Sequence, residues 1–307
     1  MTALLRRSAS RRLGGGGAAP RPRARGIRCW VVWALFAACL GAGCTRDRDQ
    51  KASAPQGTLA FEREGQSSGS LSVAAVLQRL KTFEVDTWDP YYKADKRFLA
   101  VAAPALIALA FDVSEGELKT GTFVFRAADG YAVTVEGKRL IEDGGFVAFD
   151  DLDVPGFSPI GPRQVSPAPA YLVWRGKARK NLETHPRPWQ ITTVDWVSPA
   201  ALYPHTRPEG VEADSAAARG HAVFLERCIR CHAINREGGK LGPDLNVPQS
   251  IVDYRPEAQI RAYVKNPLTF RYGSMPANPD LKPSDLDALL AYFRVMSKQP
   301  HDPTREP

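Results

Sequence analysis

The sequence has few cysteines, and they are unevenly placed. Of the five in 307 residues, none lies between residues 45 and 227. That long stretch therefore has no internal disulfide and no thiolate with which to bind a metal. No cysteine follows Cys231, so Cys228 and Cys231 lack the second Cys/His pair that a structural zinc site requires. These absences exclude a disulfide-stapled central domain and argue against a zinc finger near the C-terminus.

Acidic residues are missing from the start of the chain. Residues 1 to 28 contain eight arginines and no aspartate or glutamate, and an apolar run from Cys29 to Leu40 follows. At 12 residues, this run is well short of the roughly 20 that a membrane-spanning helix needs. A basic start followed by a short apolar run is typical of an export signal peptide.

The end of the apolar run resembles a bacterial lipobox. Small residues at positions 41 to 43 lead into Cys44, and a charged segment follows at once. The resemblance implies that residues 1–43 are removed and that Cys44 receives a lipid. The protein would then be held on the periplasmic side of the inner or the outer membrane. Cys39 is a second candidate for lipidation, and an uncleaved anchor and a plain cleaved signal are the alternatives.

The excess of positive charge belongs to this leader. The chain has 41 basic and 33 acidic side chains, and removal of the eight leader arginines leaves 33 of each. A balanced mature chain gives no reason to expect nucleic acid as a partner.

The most informative motif is Cys228-Ile229-Arg230-Cys231-His232. Covalent haem attachment requires two cysteines three apart, each of which adds to a porphyrin vinyl group, and an adjacent histidine that binds the iron. The alternatives are half of a zinc site and a redox CxxC pair, and the latter needs a βαβ setting that is not evident here. The motif therefore predicts one haem c held by Cys228 and Cys231, with His232 as the proximal iron ligand.

The segments around this motif predict two helices. Residues 215–227 place Gly220, Phe224 and Cys228 on one face, and residues 284–296 carry an apolar face of their own. In their order along the chain, residues 214–299 resemble a class I mono-haem cytochrome c domain, which is all-α. The resemblance implies that the proximal imidazole bonds to the carbonyl of Pro243. It also implies that the first and last helices cross at four residues, namely Gly220, Phe224, Leu289 and Tyr292.

The second axial ligand has to come from elsewhere in the chain. Met275 lies in a loop rich in Gly, Ser and Pro, 43 residues after His232. The Met-Pro motif of the cytochrome family corresponds to Met275-Pro276, whereas Met296 lies in the last helix, where a methionine usually fills a core. His/Met ligation occupies both axial positions and raises the reduction potential, which favours electron transfer over oxygen chemistry.

Between the leader and the haem motif, the chain divides by composition. Residues 44–70, rich in Ser, Gly, Gln and charge, predict a flexible tether. Residues 71–205 predict a β-heavy α+β domain, with a helix at 73–80, a hairpin around residues 127–130, and strands at 146–149, 170–174 and 189–197. Residues 206–213 are expected to be a linker and residues 300–307 a tail. The predicted fold is therefore multidomain.

Short motifs in the α+β domain carry a second, more distant resemblance. They are Asp89-Pro90-Tyr91-Tyr92, Ala128-Asp129-Gly130-Tyr131, residues 144–149, Tyr171-Leu172-Val173-Trp174 and Pro188-Trp189-Gln190. Together they resemble the molybdopterin-binding domain of the sulfite oxidase superfamily, whose catalytic members bind molybdenum through a cysteine that is missing here. The resemblance thus implies a docking or spacer module without metal chemistry. We expect its two acidic clusters to be solvated turns: Asp86, Asp89 and Asp95, and Asp150, Asp151 and Asp153.

The sequence thus predicts a membrane-anchored c-type cytochrome that exchanges electrons with redox partner proteins and is not itself an enzyme. One alternative is the haem subunit of a sulfite-dehydrogenase-like molybdenum oxidoreductase, with a catalytic subunit as its partner. The other is a haem-based sensor in which a ligand displaces Met275. Five basic residues near the haem segments either steer an acidic partner or form ordinary solvated surface: Arg227, Arg230, Lys240, Lys265 and Arg271.

Overall fold

A computed structural model describes residues 55–198, 201–271, 273 and 275–305. The predicted signal peptide and Cys44 lie outside these residues. In chain order the strands are β1 (Thr58–Arg63), β2 (Gln66–Ser72), β3 (Thr82–Asp89), β4 (Ala94–Ala102), β5 (Thr122–Ala127), β6 (Ala132–Glu136), β7 (Gly145–Asp151), β8 (Tyr171–Trp174), β9 (Ile191–Val197), β10 (Ala233–Ile234) and β11 (Glu237–Gly238). The helices are α1 (Val73–Arg79), α2 (Ala103–Phe111), α3 (Glu115–Thr120), α4 (Gly137–Glu142), α5 (Ala216–Arg227), α6 (Ile251–Tyr254), α7 (Glu257–Lys265) and α8 (Pro283–Met296).

The first part of the chain is built from two sheets. One has five strands in the order β2-β1-β9-β5-β6, and all its pairs are antiparallel except β1 with β9. The other has four antiparallel strands in the order β3-β4-β7-β8. A β-rich domain with short helices is therefore followed by a helical domain, which confirms the predicted fold class.

The four-stranded sheet is buried on both faces. Successive strand residues point to opposite sides, so β8 sends Leu172 and Trp174 into the core shared with the five-stranded sheet. Tyr171 and Val173 enter a separate core on the other face. This double burial explains why β8 reads as an unbroken apolar run and why it was predictable from the sequence.

The predicted tether ends too late in the sequence. Residues 58–70 belong to the hairpin of β1 and β2, so the folded domain begins at least 13 residues before position 71. Leu59 and Phe61 are fully buried, and β1 pairs in parallel with β9. The prediction was wrong because β2 is an edge strand whose residues are mostly exposed, so its Ser/Gly-rich composition looks like that of a linker.

The predicted linker and tail are packed against the helical domain. Thr206 is buried, and its carbonyl accepts a hydrogen bond from the Tyr292 hydroxyl at 2.6 Å. In the tail, Asp302 forms an ion pair with Arg236 at 2.8 Å. Both segments therefore help to hold the haem-motif region in place.

Two of the aspartates expected in solvated turns are buried instead. Asp89 and Arg187 are both fully buried and form an ion pair at 3.3 Å, and the Tyr171 hydroxyl donates to Asp89 Oδ2 at 2.6 Å. Asp151 is buried beside Lys96. Sequence composition could not show this because the partners of Asp89 lie about 80 to 100 positions further along the chain.

Removing the buried carboxylate should be costly. Asp89→Ala leaves the Arg187 guanidinium charged and unpaired in the core, which we expect to lower the free energy of unfolding by about 3–5 kcal/mol. The matched control is Asp95→Ala, whose ion pair with Lys177 is exposed and should be worth less than about 1 kcal/mol. Urea unfolding followed by tryptophan fluorescence measures both, since every described tryptophan lies in the β-rich domain. Equal losses in the two variants would contradict the account.

Candidate haem-attachment site

The helical domain is organised by the crossing of α5 and α8. Ser215 caps α5 by accepting a hydrogen bond from the Ala218 N–H at 3.1 Å. Gly220 lies so close to α8 that a Cβ there would be 2.0 Å from the carbonyl oxygen of Ala288 and 2.7 Å from Tyr292 Cβ. Only glycine allows this approach, which places the end of α5 against the last helix.

Aromatic rings fill the core beside this crossing. The Phe224 ring is centred 5.6 Å from that of Tyr292 and 6.4 Å from that of Phe293. Leu289 belongs to the same buried cluster. The four residues expected at the crossing therefore lie together, and the contact of Gly220 with the Ala288 backbone is the one that sequence reasoning missed.

The haem motif forms a tight turn at the end of α5. The N–H of Cys228 donates to the Phe224 carbonyl at 2.8 Å, and the N–H groups of Cys231 and His232 both donate to the Cys228 carbonyl, at 3.1 and 2.9 Å. The two thiols and the imidazole are thus carried by one short, internally bonded segment whose position is set by α5.

A glycine-rich segment closes over this turn. The N–H of Gly239 donates to the Ile229 carbonyl, and that of Gly242 donates to the Cys231 carbonyl, each at 2.7 Å. A Cβ on Gly239 would be 2.0 Å from the Arg230 carbonyl oxygen, and one on Gly242 would be 2.4 Å from His232 Cε1. Gly239 and Gly242 therefore allow the segment to pack directly against the haem motif. Their clustering just after the motif was the sequence signal that could have identified them.

The imidazole of His232 is fixed by Pro243, as the resemblance implied. His232 Nδ1 lies 2.8 Å from the Pro243 carbonyl oxygen, which can only accept, so Nδ1 carries the hydrogen. Nε2 is then left with a free lone pair and makes no hydrogen bond within the described residues. Burial lowers the pKa of His232, which keeps the ring neutral. A neutral imidazole oriented in this way is suited to bind a metal.

Cys228 and Cys231 form no disulfide with each other. Burial raises the pKa of Cys228 to about 12 and that of Cys231 to about 11. A redox CxxC pair has the opposite property, because its nucleophilic thiol has a lowered pKa. The site therefore offers S–H groups at fixed positions and lacks the electrostatics of a disulfide oxidoreductase.

Met275 lies in the segment that connects α7 to α8. Its side chain is half-buried, and the segment is tied back to α7, because Lys265 Nζ donates to the carbonyls of Pro279, at 2.8 Å, and Leu281. The N–H of Asn278 also donates to the Val264 carbonyl at 3.3 Å. The loop that carries Met275 is therefore attached at its C-terminal end to the helical domain.

The donor set and its surroundings fit a haem. Two thiols and one neutral imidazole are carried by the same short turn, which is the set that covalent haem attachment needs. The segments after the motif also leave large apolar side chains exposed: Leu268 at 60%, Phe270 at 47% and Tyr254 at 44%.

Four of the five basic residues near the motif make intramolecular contacts. Arg227 pairs with Glu183 at 3.1 Å and with Asp280 at 2.9 Å. Arg230 donates to two main-chain carbonyls of the β-rich domain, and Arg271 donates to the Tyr263 hydroxyl at 3.0 Å. With Lys265 also engaged, Lys240 is the basic side chain of this set for which the described residues show no side-chain partner.

Comparison with known proteins agrees with this geometry. Residues 217–297 match the Cytochrome c family. Over 90 residues the chain is 33% identical to a protein named cytochrome c oxidase subunit 2 from Alkalihalophilus pseudofirmus, a stretch that makes up 27% of this chain and 26% of that protein. The chain thus spans about a quarter of the length of this relative.

The fold and the family match together define the second domain. Residues 217–297, from α5 to α8, form a cytochrome c domain. The chain thus carries a cytochrome c domain, and a β-rich domain precedes it.

Proposed function

We propose that this protein is an electron carrier with a single haem c. Cys228 and Cys231 hold the porphyrin through thioether bonds, His232 is the proximal ligand of the iron, and Met275 is the distal ligand. The observation that carries the proposal is the His232 ring, held neutral and bonded through Nδ1 to Pro243 at 2.8 Å, with Nε2 left for the iron.

The haem supplies an iron that alternates between the ferric and ferrous states. The chain's own residues keep the surroundings unchanged while this happens. The packed turn at 228–232 fixes the proximal side, and the hydrogen bond to Pro243 prevents the imidazole from rotating. A thioether from Met275 would close the distal position, so that small ligands are kept out. Little rearrangement then accompanies the gain or loss of an electron.

Met275→Ala tests the distal ligand. The variant should keep covalent haem, bind carbon monoxide readily and show a lower reduction potential, because a weak ligand such as water would replace the thioether. Met296→Leu is the matched control. Met296 lies on α8 in the core of the helical domain, and its replacement by a side chain of similar volume should leave carbon monoxide binding and the reduction potential unchanged. Absorption spectra and a redox titration report both.

A Met275→Ala variant with an unchanged potential and no carbon monoxide binding would contradict this ligand assignment. Ready carbon monoxide binding by the unaltered protein would favour the sensor instead.

The proposal includes a lipid anchor at Cys44 on the periplasmic side of a bacterial membrane. It is supported by the basic start, the short apolar run and the small residues before Cys44. From residue 55 onward, none of the described helices is both long and apolar enough to cross a bilayer. A lipid on Cys44 would hold the domains near membrane-bound redox partners.

Cys44→Ala should release the protein from the membrane. The mature chain would then lack its lipidated residue, and the protein should move from the membrane fraction to the soluble periplasmic fraction with its haem intact. Cys39→Ala is the control and should stay in the membrane fraction. Immunodetection after fractionation of a producing bacterium measures the distribution, and release by the control alone would reassign the lipidated residue to Cys39.

A further inference from the structure

The β-rich domain touches the haem-attachment turn through the backbone. The turn between β5 and β6 lies against the motif, where the N–H of Ala132 donates to the Arg230 carbonyl at 2.9 Å. The N–H of Lys240 donates to the Gly130 carbonyl at 2.6 Å. One bond reaches the residue between the two cysteines, and the other reaches the segment that closes over them.

Gly130 makes this contact possible. Its φ is +91°, and a Cβ there would be 2.7 Å from the carbonyl carbon of Lys240 and 2.9 Å from the amide nitrogen of Leu241. No side chain fits between the two backbones. The hairpin turn and the haem-attachment segment are thus in direct main-chain contact, which a loosely linked neighbouring domain would not show.

Charged side chains strengthen the same interface. The Arg230 guanidinium donates to the carbonyls of Leu182 and Glu183, at 3.1 and 3.0 Å. Arg227 adds an ion pair with the Glu183 carboxylate at 3.1 Å. The two arginines that immediately flank Cys228 and Cys231 in sequence are therefore used to bind the β-rich domain.

Aromatic residues of the β-rich domain complete the contact near Cys231. Two tyrosines, Tyr91 and Tyr131, lie close enough to Cys231 and Arg230 to interact with them electrostatically. Tyr131 is half-buried, whereas Tyr91 is 36% exposed. The backbone of Tyr91 is fixed by a hydrogen bond, because its N–H donates to the carboxylate of the buried Asp89 at 2.9 Å. The buried ion pair of the β-rich domain thus supports the loop that faces the haem motif.

We infer that the β-rich domain is a cap on the Cys231 side of the haem and that it raises the haem's reduction potential by excluding water there. This inference rests on the proposed function, because it requires haem at Cys228 and Cys231. A ferric haem carries one more positive charge than a ferrous one, so a dry environment disfavours the oxidised state.

Charges of both signs lie at the interface. Arg230 is half-buried and has no carboxylate partner within the described residues, so its positive charge disfavours the ferric state. Asp129 carries the opposite charge and interacts with Cys231, but it is exposed, and water screens its effect. The proposed effect on the potential therefore depends on the exclusion of water and not on the balance of these two charges.

Gly130→Ala tests the cap in the full-length protein. The added methyl group must push the hairpin away from Lys240, while the cysteines, His232 and Met275 are untouched. At the potential where the unaltered protein is half reduced, we expect the ferric-to-ferrous ratio to rise roughly tenfold, which for one electron is a shift of about 59 mV. Hydrogen exchange at the Ala132 and Lys240 amides should rise in parallel.

Gly156→Ala is the matched control. Gly156 also has a positive φ, +73°, but a Cβ there meets nothing within 4 Å, so the variant carries the backbone strain without disturbing the interface. Its potential should equal that of the unaltered protein. If Gly130→Ala fails to fold or keeps its amides protected, the redox titration of Tyr91→Ala decides instead, because this variant removes an aromatic ring close to Cys231 with no backbone clash.

The outcomes separate the two claims. An unchanged potential in a Gly130→Ala protein whose amides have become unprotected would overturn the cap while leaving the electron carrier intact. The same holds for an unchanged potential in Tyr91→Ala, where that variant decides. Absence of covalent haem from the unaltered protein would instead overturn the proposed function, and the cap with it.

Discussion

The site depends on the close backbone packing around the turn at Cys228–His232. The turn is hydrogen-bonded to the end of α5 on one side and to the segment at 239–242 on the other. A side chain at position 239 or 242 would clash with the turn, so both positions require glycine. Because this packing fixes the ring of His232 against Pro243, the geometry for binding iron is set by the chain itself. The crossing of α5 with α8 at Gly220 is what places the turn in the fold.

The β-rich domain contributes to this arrangement through its own buried polar pair. Asp89 and Arg187 are fully buried, and Asp89 also accepts a hydrogen bond from the N–H of Tyr91, a residue close to Cys231. A buried ion pair is a weak source of stability compared with apolar packing, but it fixes the conformation of whatever is bonded to it. The domain is therefore tied to the cytochrome at the point where electron transfer would be tuned.

The sequence was sufficient wherever short-range pattern decides structure. The motif at 228–232, helices α5 and α8, and strands β5 to β9 follow from spacing, capping and alternation within a few residues. The sequence was insufficient where residues far apart in the chain determine the structure. Composition alone could not distinguish the exposed edge strand β2 from a flexible tether, because both are rich in small and polar residues. Asp89 was expected to be solvated because its buried partner, Arg187, lies 98 positions away in the sequence. The contact of Gly130 with Lys240 was hidden for the same reason.

The most direct test of the account is the mass of the proteolytic peptide that spans Cys228–His232, taken from protein made in a host that matures c-type haem. The account predicts one haem on this peptide and no thiol that can be alkylated, because both sulfurs are in thioether bonds. A peptide with two free thiols, or with a disulfide between Cys228 and Cys231, would contradict it.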